Sequence, residues 1–299
     1  MNPIAELPIA RFARLQCALR LDRLAYEARQ TIRRSEAEDV HDLRVAIRKL
    51  LAALKVFRVF LPEKGRKQLA ARLRETIRKA APVRDRDIAD ELLAEAGLDQ
   101  SGPCRERLRR ERAVALKRLI TAIKKAAWGD IARRERKALR LDVTRKAHVK
   151  PGWLAADAGT NARGILPPLA ADFFARGALA AHPEVQVEEL HELRLCGKRV
   201  RYSLELFGDC YADGLKPLLL EVKLLQDSLG EIQDCEATSG LLQAGGDDEQ
   251  AEREIARAFL DQRSLELRER FLKDWGERLA RGAHTEDWRG ELARGSTAA

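Results

Sequence analysis

The sequence predicts an all-α protein of two homologous halves of antiparallel helices, related by a pseudo-two-fold about a basic central cleft. Three observations predict it. Apolar residues recur at helical spacing through nearly every segment, without the Val/Ile/Thr alternation of strands. Ala, Leu, Arg and Glu, all strong helix formers, dominate. A motif of the first half returns 150 residues later, at His41-Asp42-Leu43-Arg44 and His191-Glu192-Leu193-Arg194. In order, helices are expected at about residues 7–34, 40–60, 66–80, 85–96, 105–127 and 131–141, the first four punctuated by Pro62, Pro82 and Gly97. Residues 144–160 contain Pro151-Gly152, lose the helical period and read as a linker. Helices resume at about 162–179, 184–207, 215–229, 235–244 and 248–279, with Pro167-Pro168 expected to break or kink the first of them. The halves are then 1–143 and 161–281, and 282–299 reads as a flexible tail.

At 45% hydrophobic residues, the 299-residue chain has enough apolar material for a sizeable core, which excludes a disordered class. No window approaches the roughly 18 apolar residues of a membrane span, and the first residues lack a signal-peptide pattern, so a cytoplasmic protein without membrane contact is expected. Five cysteines, Cys17, Cys104, Cys196, Cys210 and Cys235, are odd in number and form no C-x-x-C pair; small buried residues are the expectation. The five histidines form no metal-ligand spacing, and neither metal nor cofactor is expected.

Charge points further. Lys and Arg number 56 against 47 Asp and Glu, a net +9 that hides +18 in residues 1–150 and −9 in residues 151–299. Most cations are Arg, whose planar fork suits phosphate oxygens. They concentrate in residues 105–125 and 133–146, where solvated faces with Glu partners are an equally good reading.

The repeat extends beyond its first four residues. At the same offset Arg48-Lys49 matches Lys198-Arg199, Leu54 matches Leu204, and Phe57 matches Phe207. At an offset of 149, Arg74 matches Lys223 and Val83-Arg84-Asp85 matches Ile232-Gln233-Asp234. On a wheel of about 100° per residue, Arg44, Arg48 and Lys55 lie along one edge, at roughly 300–340° from His41. Leu43, Leu50, Leu54 and Phe57 occupy the adjoining core face. Arg194, Lys198 and Arg201 repeat that line, with Tyr202 beside it. Two such stripes sharing a cleft would repel unless an anion neutralised them, so the fold is expected to be built around a polyanion.

These residues, His41-x-x-Arg44-x-x-x-Arg48-Lys49, Arg84-Asp85, His191-x-x-Arg194-x-x-x-Lys198-Arg199-x-Arg201-Tyr202 and Leu224-Leu225-Gln226-Asp227-x-Leu229-Gly230-x-x-Gln233-Asp234, resemble the CHAD family, the conserved histidine α-helical domain, over most of the chain. The resemblance implies two four-helix-bundle halves around a basic cavity, binding of inorganic polyphosphate, location at cytoplasmic polyphosphate granules with other granule proteins as possible partners, and no catalysis. It implies ligand contacts from His41, Arg44, Arg48, Lys49 and Lys55, and from His191, Arg194, Lys198, Arg199 and Arg201, with Arg74, Arg78 and Lys223 in support. The sequence departs from the pattern at Leu51, where many members carry a cation, and at Glu205 and Asp227, which stand where the first half has Lys55 and Arg78. The E-x-E-x-K motif of the triphosphate-tunnel barrel that often accompanies the family is absent, so a stand-alone form is expected.

Two other classes fit less well. Nucleic-acid binding would use the same charge, but 15 aromatics, several at core positions, offer few stacking platforms. An enzyme acting on phosphoanhydrides would need a P-loop, which is absent, or metal-binding carboxylates; Asp85, Asp87, Asp227 and Asp234 read as ion-pair partners of nearby cations.

Overall fold

The structure, a computed structural model, describes residues 3–141, 157–182, 184–211, 215–279 and 282–294. Ten α-helices follow one another among these residues: α1 (Ile9–Arg33), α2 (Ala37–Val56), α3 (Glu63–Glu95), α4 (Pro103–Lys125), α5 (Ile131–Ala138), α6 (Ala158–Ala180), α7 (Val187–Phe207), α8 (Leu215–Leu242), α9 (Gln250–Asp274) and α10 (Gly282–Arg294). The described residues form no strand, as the periodicity predicts.

Local chemistry sets the two helices that carry the motif. Before α2 the backbone of Glu36 donates to Asp39 at 3.1 Å, and before α7 Gln186 donates to Glu189 at 3.0 Å. Each is a reciprocal capping box, 150 residues apart, that satisfies orphan N–H groups of the first turn. A single 3₁₀ turn follows each helix, Arg58–Phe60 and Gly208–Cys210. Along α2, Leu43, Ile47, Leu50 and Leu54 are buried, as are Leu193, Val200, Leu204 and Phe207 along α7.

Sequential helices pack as neighbours: α1 on α2, α2 on α3, α3 on α4, then α6 on α7, α7 on α8 and α8 on α9. The two series meet where α2 packs on α7 and α3 on α8. One apolar core runs through both series. A second cluster, including Leu93, Leu108, Ile232, Leu242 and Leu260, ties the far ends of α3 and α8 to α4 and α9. Phe12 stacks on Phe207 at 5.7 Å between centroids and meets Phe57 edge-on at 6.0 Å; Phe57 and Phe207 lie 5.7 Å apart. All five cysteines are buried and free, and burial pushes the Cys17 thiol up to about 12.

Four expectations need correction. Pro82 does not end a helix: α3 runs through it, and Ala80 and Val83 on either side are fully buried. α8 likewise joins the two segments expected at 215–229 and 235–244. α6 is not broken at Pro167-Pro168, the stronger of the two outcomes expected there, and it begins at Ala158, where the Asp157 carboxylate accepts from the Thr160 backbone at 2.7 Å; most of the expected linker lies outside the described residues. A proline in a helix interior costs roughly 3 kcal/mol, which burial of apolar faces on both sides offsets. Residues 282–294 are α10 rather than a flexible tail. Trp288 and Leu292 are 1% and 0% exposed, and the Trp288 indole donates to Glu221 of α8 at 2.9 Å.

Candidate functional site

A cleft of about 750 Å³ opens between α2, α7 and α8. From α2 come His41, Val45, Arg48 and Lys49; from α7 come Arg194, Lys198, Arg201, Tyr202 and Glu205. The wall opposite is α8, with Leu219, Leu220, Lys223, Gln226, Asp227, Gly230, Glu231 and Asp234. Six of these side chains are Arg or Lys and four are carboxylates, so the cleft keeps a positive excess that lies on α2 and α7.

Lys198 sits at the centre of that excess. Burial, then Arg194, Arg48, Arg201 and Arg44, push its ammonium down to about 7. Like charges held this close on rigid helices disfavour one another's ionised form. Arg44 lies behind the lining, where burial and Arg48 push it down to about 10 against the pull of Asp85 and Asp234. Burial also raises Asp85 and Asp234, which Arg44 and Arg194 respectively hold back most. Burial and Arg84 depress His41, which therefore meets a ligand as a neutral ring at pH 7.

Several donors here are unsatisfied. Arg44 Nη1, Arg194 Nε, Arg201 Nε and Gln226 Nε2 are buried without a hydrogen-bond partner. Gln226 is 6% exposed and lies against Gly197 of α7, where an added Cβ would come within 3.1 Å of the amide nitrogen. A buried donor left unpaired costs about 1–3 kcal/mol; three of these, on Arg194, Arg201 and Gln226, belong to residues of the cleft lining, with the Arg201 nitrogen 3.8 Å from Glu205, and form a set that an anionic acceptor would complete.

The two halves do not contribute alike. Lys49 crosses to Glu205 of α7 at 2.9 Å. Its counterpart Arg199 has no such partner, because Lys55 stands where Glu205 would be; it turns to Asp172 of α6 at 3.0 Å, outside the cleft lining. His191 also lies off the main lining and contacts Gln233 Oε1 through Nδ1 at 2.7 Å, in a smaller recess shared with Arg194. Lys55, Arg74 and Arg78 are exposed and do not line the cleft. Of the carboxylates read as ion-pair partners, Asp87 bonds Arg112. Lining residues outside the sequence-derived set are Val45, Tyr202, Glu205 and, on α8, Leu219, Leu220, Gln226, Asp227, Gly230, Glu231 and Asp234; Tyr202, Gln226, Asp227, Gly230 and Asp234 belong to the motifs that carry the resemblance and were the available signal. For a cation, Glu38, His41 and Asp42 offer one ligand atom each within 4.8 Å of one another, at the first turns of α2, where acidic residues also complement the helix dipole.

Fold and cleft define an all-helical protein of repeated element order, with cations from two register-equivalent helices converging on one interhelical cleft. The chain belongs to the CHAD domain family, whose sequence pattern matches residues 16–243. That family is linked to polyphosphate- and phosphoanhydride-related functions. Its fold is similar to the crystal structure of the CHAD domain from the plant Ricinus communis, with a TM-score of 0.63 and 20% identity over 98% of this chain and 94% of that one. It is also similar to PptA from Streptomyces chartreusis, with a TM-score of 0.59 and 16% identity over 88% of this chain and 99% of that one. No curated protein matches in sequence. Among the described residues no helix is long and apolar enough to cross a membrane.

Proposed function

We propose that the cleft binds inorganic polyphosphate and that this binding places the protein at polyphosphate granules in the cytoplasm. The observation that carries the reading is Lys198 enclosed by Arg194, Arg201, Arg44 and Arg48 with unpaired donors around it. Such a cluster is costly when empty, and it is relieved by a ligand that supplies several oxyanions at short spacing. Arg48, Arg194 and Lys198 take the phosphates, neutral His41 donates or accepts one hydrogen bond at the rim, and Gln226 completes an oxygen's coordination from below. Tyr202, within cation–π range of Arg201 at 5.0 Å, holds that guanidinium in place. The proposed role is binding without catalysis and without a cofactor. Calorimetric titration with polyphosphates of defined length should give length-dependent binding that weakens with salt, as neutralised phosphates release counterions. Displacement of polyphosphate by duplex DNA or RNA at equal charge concentration would favour a nucleic-acid ligand instead. Release of orthophosphate on incubation with Mg²⁺ would make the protein an enzyme.

A further inference from the structure

The helix α4 carries two kinds of cation. Facing α3 and α9, Arg105 pairs with Asp90 at 2.8 Å, Arg107 with Glu249 at 2.8 Å, and Arg112 bonds Asp87. On the solvent side, Arg109, Arg110, Lys117, Arg118, Lys124 and Lys125 are all exposed, and none forms an ion pair with a described residue. Positions 110, 114, 117, 121 and 124 share one face within about 80° of arc and span about 21 Å at 1.5 Å per residue. That face reads Arg, Val, Lys, Thr, Lys, with Val114 50% exposed and no acidic residue in the series. Cations of a merely solvated helix usually alternate with acids at i±4; here Arg110 has Glu106 four residues before it, without an ion pair between them, and the positions four away from Lys117 are Ala113 and Thr121.

The positive surface continues past the end of α4. Arg133, Arg134 and Lys137 of α5 line a groove of about 770 Å³ beside Ala127 and Asp130, and of these Arg134 pairs with Glu135 at 3.2 Å. Exposed Arg74 and Arg78 lie on α3 at the same level but on the opposite side of that helix from Arg72 and Thr76, which meet Ala126 and Trp128, so they do not join this surface. None of these cations lines the cleft.

We infer that the solvent face of α4, continued by α5, is a second anion-binding strip that takes a further stretch of a linear inorganic polyphosphate whose other stretch occupies the cleft. The ligand's identity rests on the polyphosphate reading of the cleft; the strip itself rests on the unpaired cations of α4. A straight run of charge without stacking aromatics fits a bare phosphate chain better than a single-stranded nucleic acid, whose exposed bases need platforms, and the test below separates it from a duplex. The strip makes the protein bivalent toward long chains and monovalent toward short ones, so long chains gain from the high effective concentration of a second contact.

The test compares tripolyphosphate with long-chain polyphosphate over a salt series, using Arg110→Gln/Lys117→Gln/Lys124→Gln. All three side chains are exposed, so the fold is retained. Tripolyphosphate affinity should be unchanged, while for the long chain the slope of log K against log salt should fall by about two units, at roughly 0.7–0.9 per lost contact. Unchanged long-chain affinity and slope would overturn the strip. So would a variant that loses duplex DNA or RNA while keeping long polyphosphate. Arg194→Ala/Lys198→Ala separates the two ideas: its retention of tripolyphosphate would sink the cleft reading, and the strip would still stand or fall on the long-chain slope.

Discussion

The long helices α3 and α8 are equivalent in register, yet they do different things. Where α8 has Leu219, Leu220, Lys223, Asp227 and Glu231, α3 has Ala70, Ala71, Arg74, Arg78 and Pro82. Only α8 forms a wall of the cleft. Its leucines and carboxylates face the cations of α2 and α7, whereas Arg74 and Arg78 of α3 stay exposed. The comparison teaches that a repeated motif need not make two equal sites. The cationic stripes of both halves serve one cleft, and its opposite wall trims the positive charge instead of adding to it.

The largest effect expected from breaking this arrangement is at α7. Arg194→Ala with Lys198→Ala removes two charged donors at about 1.5–3 kcal/mol each, so polyphosphate affinity measured by calorimetry should fall by roughly 10²–10⁴. Equal loss from Arg74→Ala with Arg78→Ala would erase the distinction between the walls. Next is the anchor behind α8. Trp288→Ala should cost about 3–5 kcal/mol in denaturant unfolding, because the indole is fully buried against Phe174 and bonded to Glu221.

A proton-linked effect follows at a smaller scale. Lys198 titrates near 7 in the free protein, and a bound polyanion restores its ordinary range. Binding then takes up a proton above pH 7, and affinity should fall by up to about tenfold per pH unit as pH rises from 7. Stability of the unliganded protein moves the other way. Between about pH 7 and the ordinary lysine value the unfolded chain holds more protons at this residue than the folded one, so its contribution to stability rises with pH. Titrations in buffers of different ionisation enthalpy should register the uptake, and Lys198→Arg should abolish it. The smallest effect is at the acidic wall: Asp227→Asn should tighten binding by about 0.2–1 kcal/mol, the range for an exposed charge, with the gain vanishing at high salt.

The all-helical class was legible because periodicity runs through the chain, and Arg48, Arg194 and Lys198 were legible because they repeat beside a core face. Helix ends were harder to read. Pro82, Pro167 and Pro168 are local breakers, but core packing on both flanks, visible only in three dimensions, keeps α3 and α6 continuous. The tail was misread because Trp288 and Leu292 have a partner surface on α6 and α8 that local pattern does not announce. Within the site, Lys49 and Arg199 occupy the same place in the repeat, and their separation depends on Glu205 standing opposite Lys55. Which long helix closes the cleft is a tertiary property: α8 lines it with Leu219 and Leu220, and α3, with Ala70 and Ala71 at the equivalent positions, does not.

The rings of Phe12, Phe57 and Phe207 join α2 and α7 at their C-terminal ends. That contact is a spacer: close-packed rings hold the C-terminal ends of α2 and α7 at one separation, and the distance between the cationic positions nearest those ends is set with it. Trimming Phe207 would loosen the gauge of the cleft without touching a single charge in it.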